Sequence, residues 1–353
     1  MSSFLDPRLE SLQPYTPGEQ PQGRKYIKLN TNECPYPPAP GVQAAVTAQA
    51  ALLNLYPDPQ AATLRAALAN TLGVPAACIF LGNGSDEILA FCFQGFCANG
   101  AAFADITYGF YKVYAALYGT GANVIPLEED FTLDAQKYHT VKETIFIANP
   151  NAPTGLALPV AALEAIARAN ESRLLVVDEA YVDFGAQSAV TLTQKCANIL
   201  VVGTFSKSRA LAGARLGYAV GAPALVADLE RIRYSFNPYN LNRMSMAAGL
   251  AALETPEYFE DCCQKIMQTR GEALANLAGL GFACTNSMAN FVFASHPKLP
   301  AQALYLALKD DGILVRWFGQ PRVENHLRIT VGTPEEMARL YTSLERIVSE
   351  KQS

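Results

Sequence analysis

Apolar residues along this chain fall into two rhythms. Between about residues 78 and 220, short continuous apolar runs recur at Cys78–Leu81, 101–104, 123–127, 144–148, 174–178, 199–203 and 216–220. Runs of this kind, bounded by Gly, Pro or Asn, predict strands buried on both faces. Helical stretches such as PVAALEAIARAN and PALVADLERIRYSF intervene. Further helices are predicted from about residue 41 to Asn54, where YPDPQ breaks the pattern, and from Ala62 to Thr71. Strands alternating with helices predict an α/β fold with a mostly parallel sheet.

After about residue 250 the rhythm changes. One long helix (EYFEDCCQKIMQTRGEALANLAGL) precedes a strand (NFVFAS), a helix (AQALYLALKDD), two strands (ILVRWF, HLRITV) and a last helix (EEMARLYTSLERIVS). The first forty residues are rich in Pro and polar residues and read as an extended arm with turns. The predicted organisation is therefore an arm (1–40), a large α/β domain (41–250) and a smaller α+β domain (251–353), with no repeat of fixed period.

Composition narrows the classes. Half of the 353 residues are hydrophobic and 17% are charged, which suits a globular protein with a sizeable core. The net charge of −5 and the lack of a basic block give nucleic-acid binding no electrostatic support. No apolar stretch is long enough to span a bilayer, and MSSFLDPRLESLQPY lacks the pattern of a secretory signal. The eight cysteines are scattered without CxxC pairs, so reduced thiols in a cytoplasmic protein are expected. With three histidines and no ligand cluster, no metal is expected.

Chemistry concentrates at the ends of four predicted strands, where open α/β sheets bind ligands. IFLG runs into Asn83-Gly84-Ser85-Asp86-Glu87, IFIA into NPNAPTG, LLVV into Asp178-Glu179-Ala180-Tyr181, and ILVVG into Thr204-Phe205-Ser206-Lys207. Each has a plainer reading: GNGSDE as a strand-to-helix turn, NPNAPTG as a loop, Asp178 as a loop carboxylate, Lys207 as a surface lysine, Arg215 as a salt-bridge residue. Together they form a set. A helix N-terminus at Gly84-Ser85 can seat a phosphate, provided Asp86 and Glu87 point away. A lysine becomes a nucleophile when desolvation or neighbouring cations destabilise its ammonium, and Arg209 and Arg215 could supply the latter. A cofactor with an aldehyde, a phosphate and a pyridine nitrogen accounts for Lys207, Ser206 with Arg215, and Asp178 at once.

At NPNAPTG, VVDEAY, FSKSRALAGARLGY and LRITVGT the chain resembles the fold-type I pyridoxal 5'-phosphate aminotransferases over nearly its whole length. LQPYTPG, LNTNECPYPP, LYPDP and GNGSDE make it most similar to the histidinol-phosphate branch. The resemblance implies a homodimer with interfacial active sites, acting on small molecules: an amino group passes between histidinol phosphate and 2-oxoglutarate. Aromatic amino-acid transamination and threonine-phosphate decarboxylation are the alternatives on the same fold, and a cofactor-binding regulator without catalysis is a more distant one. It further implies that Lys207 binds the cofactor and moves the proton, while Asp178 holds the ring nitrogen. Asn151 and Tyr181 would bond the phenolic oxygen, and Tyr108 would stack on the ring. Gly84, Ser85, Ser206 and Arg215 would bind the phosphate, with Tyr56 reaching in from the partner subunit. Arg328 would take the substrate's anionic end, with Arg316 and Tyr15 assisting and Asn151 also near the substrate. One departure stands out: Ile106 occupies the place where a proline is expected before the stacking aromatic.

Overall fold

The computed structural model describes residues 2, 4–21 and 23–352. A short strand, β1 (Ile27–Lys28), follows the extended N-terminal segment. Seven strands then build the main sheet: β2 (Ile79–Gly82), β3 (Ala101–Ala104), β4 (Ala122–Ile125), β5 (Thr144–Ala148), β6 (Leu175–Asp178), β7 (Ile199–Thr204) and β8 (Gly217–Gly221). Their order is β2-β8-β7-β6-β5-β3-β4. Neighbours from β4 to β7 are parallel, whereas β8 runs antiparallel to both β7 and β2. Alternation along the strands feeds two cores. Ile145, Ile147, Val177 and Val201 pack on one face, and Phe146, Val176, Leu200 and Val202 on the other. Every residue of β2, β3, β5, β6 and β7 is buried, which explains why these strands read as unbroken apolar runs.

The register sets the site. Ala148, Asp178 and Val202 lie in one row across β5, β6 and β7, so the loops that follow them leave the sheet together. Gly217 pairs with both Thr204 and Gly82, which brings the β7–β8 loop beside the turn after β2. A Cβ on Gly217 would stand 2.4 Å from the Ser85 backbone nitrogen, so this close approach requires glycine.

The remaining strands are β9 (Ala283–Cys284), β10 (Phe291–Ser295), β11 (Ile313–Leu314), β12 (Arg316–Trp317) and β13 (His326–Thr330). Four of them make an antiparallel sheet in the order β12-β13-β10-β9. Helices Pro256–Gly279, Ala301–Asp310 and Pro334–Gln352 cover it around a separate core that includes Leu277, Val292, Leu304, Ile329 and Leu340. ILVRWF, expected as one strand, divides at Val315: β11 pairs in parallel with β1, while β12 joins β13. Leu29 enters this second core, so residues 27–29 of the expected arm are built into the smaller body. Among the described residues no helix is long and apolar enough to cross a membrane.

Candidate active site

The carboxyl ends of β2, β5, β6 and β7 open onto a cavity of about 350 Å³. Ser85, Asp86, Asp178, Ser206, Lys207 and Arg215 line it, together with Tyr108 and Tyr181. A second cavity, about 510 Å³, shares Tyr108, Tyr181 and Lys207 and adds Tyr15, Arg316 and Arg328. Most of the sequence-predicted residues thus converge from both bodies, with Lys207 where the two cavities meet.

Lys207 follows β7 by three residues, and its Nζ donates to the Thr31 carbonyl at 3.2 Å. Its pKa is lowered to about 8, first by burial and then by the Arg328 cation. The activating cation is therefore chiefly Arg328, from the smaller body, with Arg215 a lesser contributor. Arg209 lies elsewhere: its guanidinium covers the Phe259 ring at 4.0 Å and donates to the Ala252 carbonyl.

Asp178 ends β6 and is 5% exposed. Burial raises its pKa to about 6, against the pull of a 2.9 Å hydrogen bond from the Tyr111 hydroxyl and another from the Ala180 N–H. Tyr111 is fully buried among Phe93, Phe103 and Phe146, and it escaped the sequence reading. The Tyr181 hydroxyl accepts from Asn32 Nδ2 at 2.9 Å, a second contact across the two bodies.

Gly84, at φ +79°, opens the helix Gly84–Phe96. A Cβ there would stand 2.5 Å from Arg215 Nη2. Arg215 itself has φ +51°, which folds its side chain back onto this turn, 3.5 Å from the Ser206 hydroxyl. Asp86 does not point away as expected. It bonds Arg215 at 2.9 Å and accepts from the Tyr108 hydroxyl at 2.6 Å, holding both residues at the cavity wall. Glu87 turns back instead, taking the Asn83 N–H at 2.7 Å.

Asn151 is held by the neighbouring loop. Its Nδ2 donates to the Ile106 carbonyl and to Thr154 Oγ1, and its Oδ1 accepts from Thr107. Asn151 lines neither cavity; Pro150 and Ala152, on either side of it, line the smaller one. Its amide fixes the 106–107 loop that lacks the expected proline. Arg316 reaches the larger cavity but also grips the arm, donating to the Thr16 and Pro17 carbonyls at 2.8 and 3.0 Å. The Tyr15 ring stacks on Phe110 at 4.4 Å, so the arm spans from the smaller body to the larger. Arg328 donates to the Asn30 carbonyl, and its Nε is buried without a partner. Tyr56 is 78% exposed, stacked on Tyr239 and outside both cavities.

The residues fit pyridoxal phosphate. The helix N-terminus at Gly84 and Ser85, with Ser206 and Arg215 beside it, suits its phosphate once Arg215 exchanges Asp86 for that anion; buried Asp178 suits a protonated ring nitrogen, and Lys207, partly neutral near pH 8, suits its aldehyde.

Residues 24–344 match the family described as Aminotransferase class I and II. The chain is 51% identical to a histidinol-phosphate aminotransferase of Marinomonas sp. over 98% of this chain and 100% of that one. It is 47% identical to one of Brachyspira hyodysenteriae, covering 99% of each. Among solved structures, the histidinol-phosphate aminotransferase of Sinorhizobium meliloti in complex with pyridoxal-5'-phosphate superposes with a TM-score of 0.89, at 27% identity over 99% of each chain.

Proposed function

The chain belongs to the class I and II aminotransferases, and from that premise we propose that it interconverts histidinol phosphate and 2-oxoglutarate with imidazole acetol phosphate and glutamate. The reaction is a step of histidine biosynthesis and uses pyridoxal 5'-phosphate. One observation carries the mechanism: Lys207 sits between buried Asp178 and half-buried Arg328, one on each cavity.

Bound pyridoxal phosphate supplies a carbonyl for the amino group and a ring that delocalises the electron pair left when the substrate Cα loses its proton. The protein does the rest. Asp178 would keep the ring nitrogen protonated, steadied by Tyr111. Lys207 Nζ would carry the proton away from the substrate Cα and return it, a role suited to an amine with a pKa near 8. Arg328, desolvated and with a free Nε, would take the phosphate ester or the α-carboxylate by paired hydrogen bonds. The arm, stacked through Tyr15 on Phe110, would exclude water from the larger cavity.

The enzyme would work as a cytoplasmic homodimer. Leu53, Leu55, Tyr56 and Phe236 are exposed apolar side chains, and a site in a second copy gives Tyr56 its use. Single-turnover spectra test the substrate. Histidinol phosphate should shift the cofactor's absorption band, and glutamate should do the same. Conversion by phenylalanine or threonine phosphate but not by histidinol phosphate would refute the reading.

A further inference from the structure

The loop that carries Tyr108 is tied to the smaller body by an ion pair that stands outside both cavities. Asp105 follows β3 directly and precedes Ile106, Thr107 and Tyr108. Its Oδ1 accepts the N–H groups of Ile106 and Leu127, each at 2.9 Å, and its Oδ2 takes Arg322 Nη1 at 2.6 Å. Arg322 Nη2 also donates to the Leu127 and Glu128 carbonyls, at 3.0 and 2.7 Å. Arg322 belongs to the loop between β12 and β13 and holds φ +72°, a backbone conformation that L residues rarely adopt. Three acceptors on the larger body thus fix one strained residue of the smaller.

Earlier in the same loop, the Phe318 ring centroid lies 5.4 Å from the Arg316 guanidinium and 5.5 Å from that of Arg328. Beside the ion pair, Ile106 and Leu127 share an apolar cluster with Phe293, Phe318 and Val323 of the smaller body. A proline at 106 would offer Asp105 no N–H, so the departure at this position belongs to the same arrangement. Ile106, Tyr108, Phe318 and Val323 all line the larger cavity, whereas Asp105 and Arg322 line neither. The pair therefore acts on where the lining residues stand. Resting on the reading of Arg328 as the anion seat, we propose that Arg322 and Asp105 are positioning residues: they set the distance between that seat and the Tyr108 loop. A substrate anchored at Arg328 is then presented to the reacting centre in one orientation.

The test compares anchored with unanchored substrates by single-turnover absorbance on the holoenzyme. The pairs are histidinol phosphate against histidinol, and glutamate against γ-aminobutyrate, which lacks the α-carboxylate. The proteins are the native one, Arg322→Met, Asp105→Asn and the double variant. Both side chains are partly exposed (35% and 24%), and asparagine keeps Oδ1 for its two N–H donors, so neither substitution opens a core. Each single variant should slow the anchored substrates about tenfold or more at saturation and leave the unanchored ones nearly unchanged. The double variant should lose no more than either single one, since both remove the same bond. Equal losses with anchored and unanchored substrates would reduce the pair to packing and overturn the proposal. Full activity of both single variants, or additive losses in the double one, would do the same. A native enzyme that separates glutamate from γ-aminobutyrate but not histidinol phosphate from histidinol would sink the substrate reading, and the glutamate comparison would still decide the role of the pair. No separation in either comparison would remove the anion seat and the proposal with it.

Discussion

Replacing Tyr111 by Phe removes one hydroxyl and nothing else from a fully buried position. That hydroxyl donates to Asp178 Oδ2 at 2.9 Å, and its ring neighbours are all aromatic. A hydrogen bond to a charged group contributes about 1.5–3 kcal/mol, which at 1.36 kcal/mol per unit is roughly one to two pKa units. Asp178, at about 6 in the native protein, would then titrate between roughly 7 and 8. Near neutral pH its carboxyl would be largely protonated and unable to pair with a protonated ring nitrogen. The assay is cofactor affinity of the apoenzyme, followed by fluorescence from pH 6 to 9.5. Tyr111→Phe should bind weakly at pH 7 and approach the native affinity by about pH 9, where Asp178 ionises again. A deficit of the same size at every pH would mean that the hydroxyl serves packing alone. No deficit at all would mean that Asp178 does not hold the nitrogen. Either result refutes the reasoning.

Asp178→Asn should separate stability from function. The folded protein raises this pKa from 3.8 to about 6, so stability falls as pH rises through that window, and the ionised carboxyl costs about 3 kcal/mol above it. The apoenzyme of Asp178→Asn should therefore melt higher than native at pH 7.5 while failing to retain the cofactor; a lower melting temperature would contradict this. Covalent uptake of the cofactor needs neutral Lys207, so its rate should rise to a plateau with a midpoint near pH 8. Arg328→Met should move that midpoint upward, and borohydride should fix the label at Lys207; labelling of another lysine would refute the assignment. Gly84→Ala should lose cofactor affinity because its Cβ meets Arg215, whereas Gly73→Ala, with φ +66° and open space, should carry only backbone strain of about 1–2 kcal/mol. Equal retention of the cofactor in both variants would show that the close approach of Arg215 to Gly84 is not needed.

Much of the site could be read from the chain because it follows strands directly. Asp178, Ser206 and Lys207 stand at or just beyond the last residue of a buried strand, and the apolar run announces that position. Gly84 and Arg215 were legible for a related reason, lying in short turns whose composition is restricted. What stayed hidden depends on distant pairing. Tyr111 reads as one more apolar-face residue of a helix until Asp178, 67 positions away, is placed beside it. Asn32 belongs to a polar segment, and its neighbours Thr330 and Asn290 come from the smaller body. The lowering of the Lys207 pKa was expected from Arg209 and Arg215, its neighbours in sequence, whereas the stronger cation, Arg328, comes from a strand more than a hundred residues later.

The antiparallel insertion of β8 between β2 and β7 also has a temporal meaning. A ribosome delivers β2 early, yet among the described residues its one hydrogen-bonded neighbour in the sheet is β8, which does not begin until Gly217. Until then β2 is an edge without a partner, and Gly84 has no Arg215 opposite it. A nascent chain stopped before Gly217 has no strand to hold Arg215 against Gly84. With the proposed site, cofactor capture would therefore report that the last strand of the main sheet has gone in.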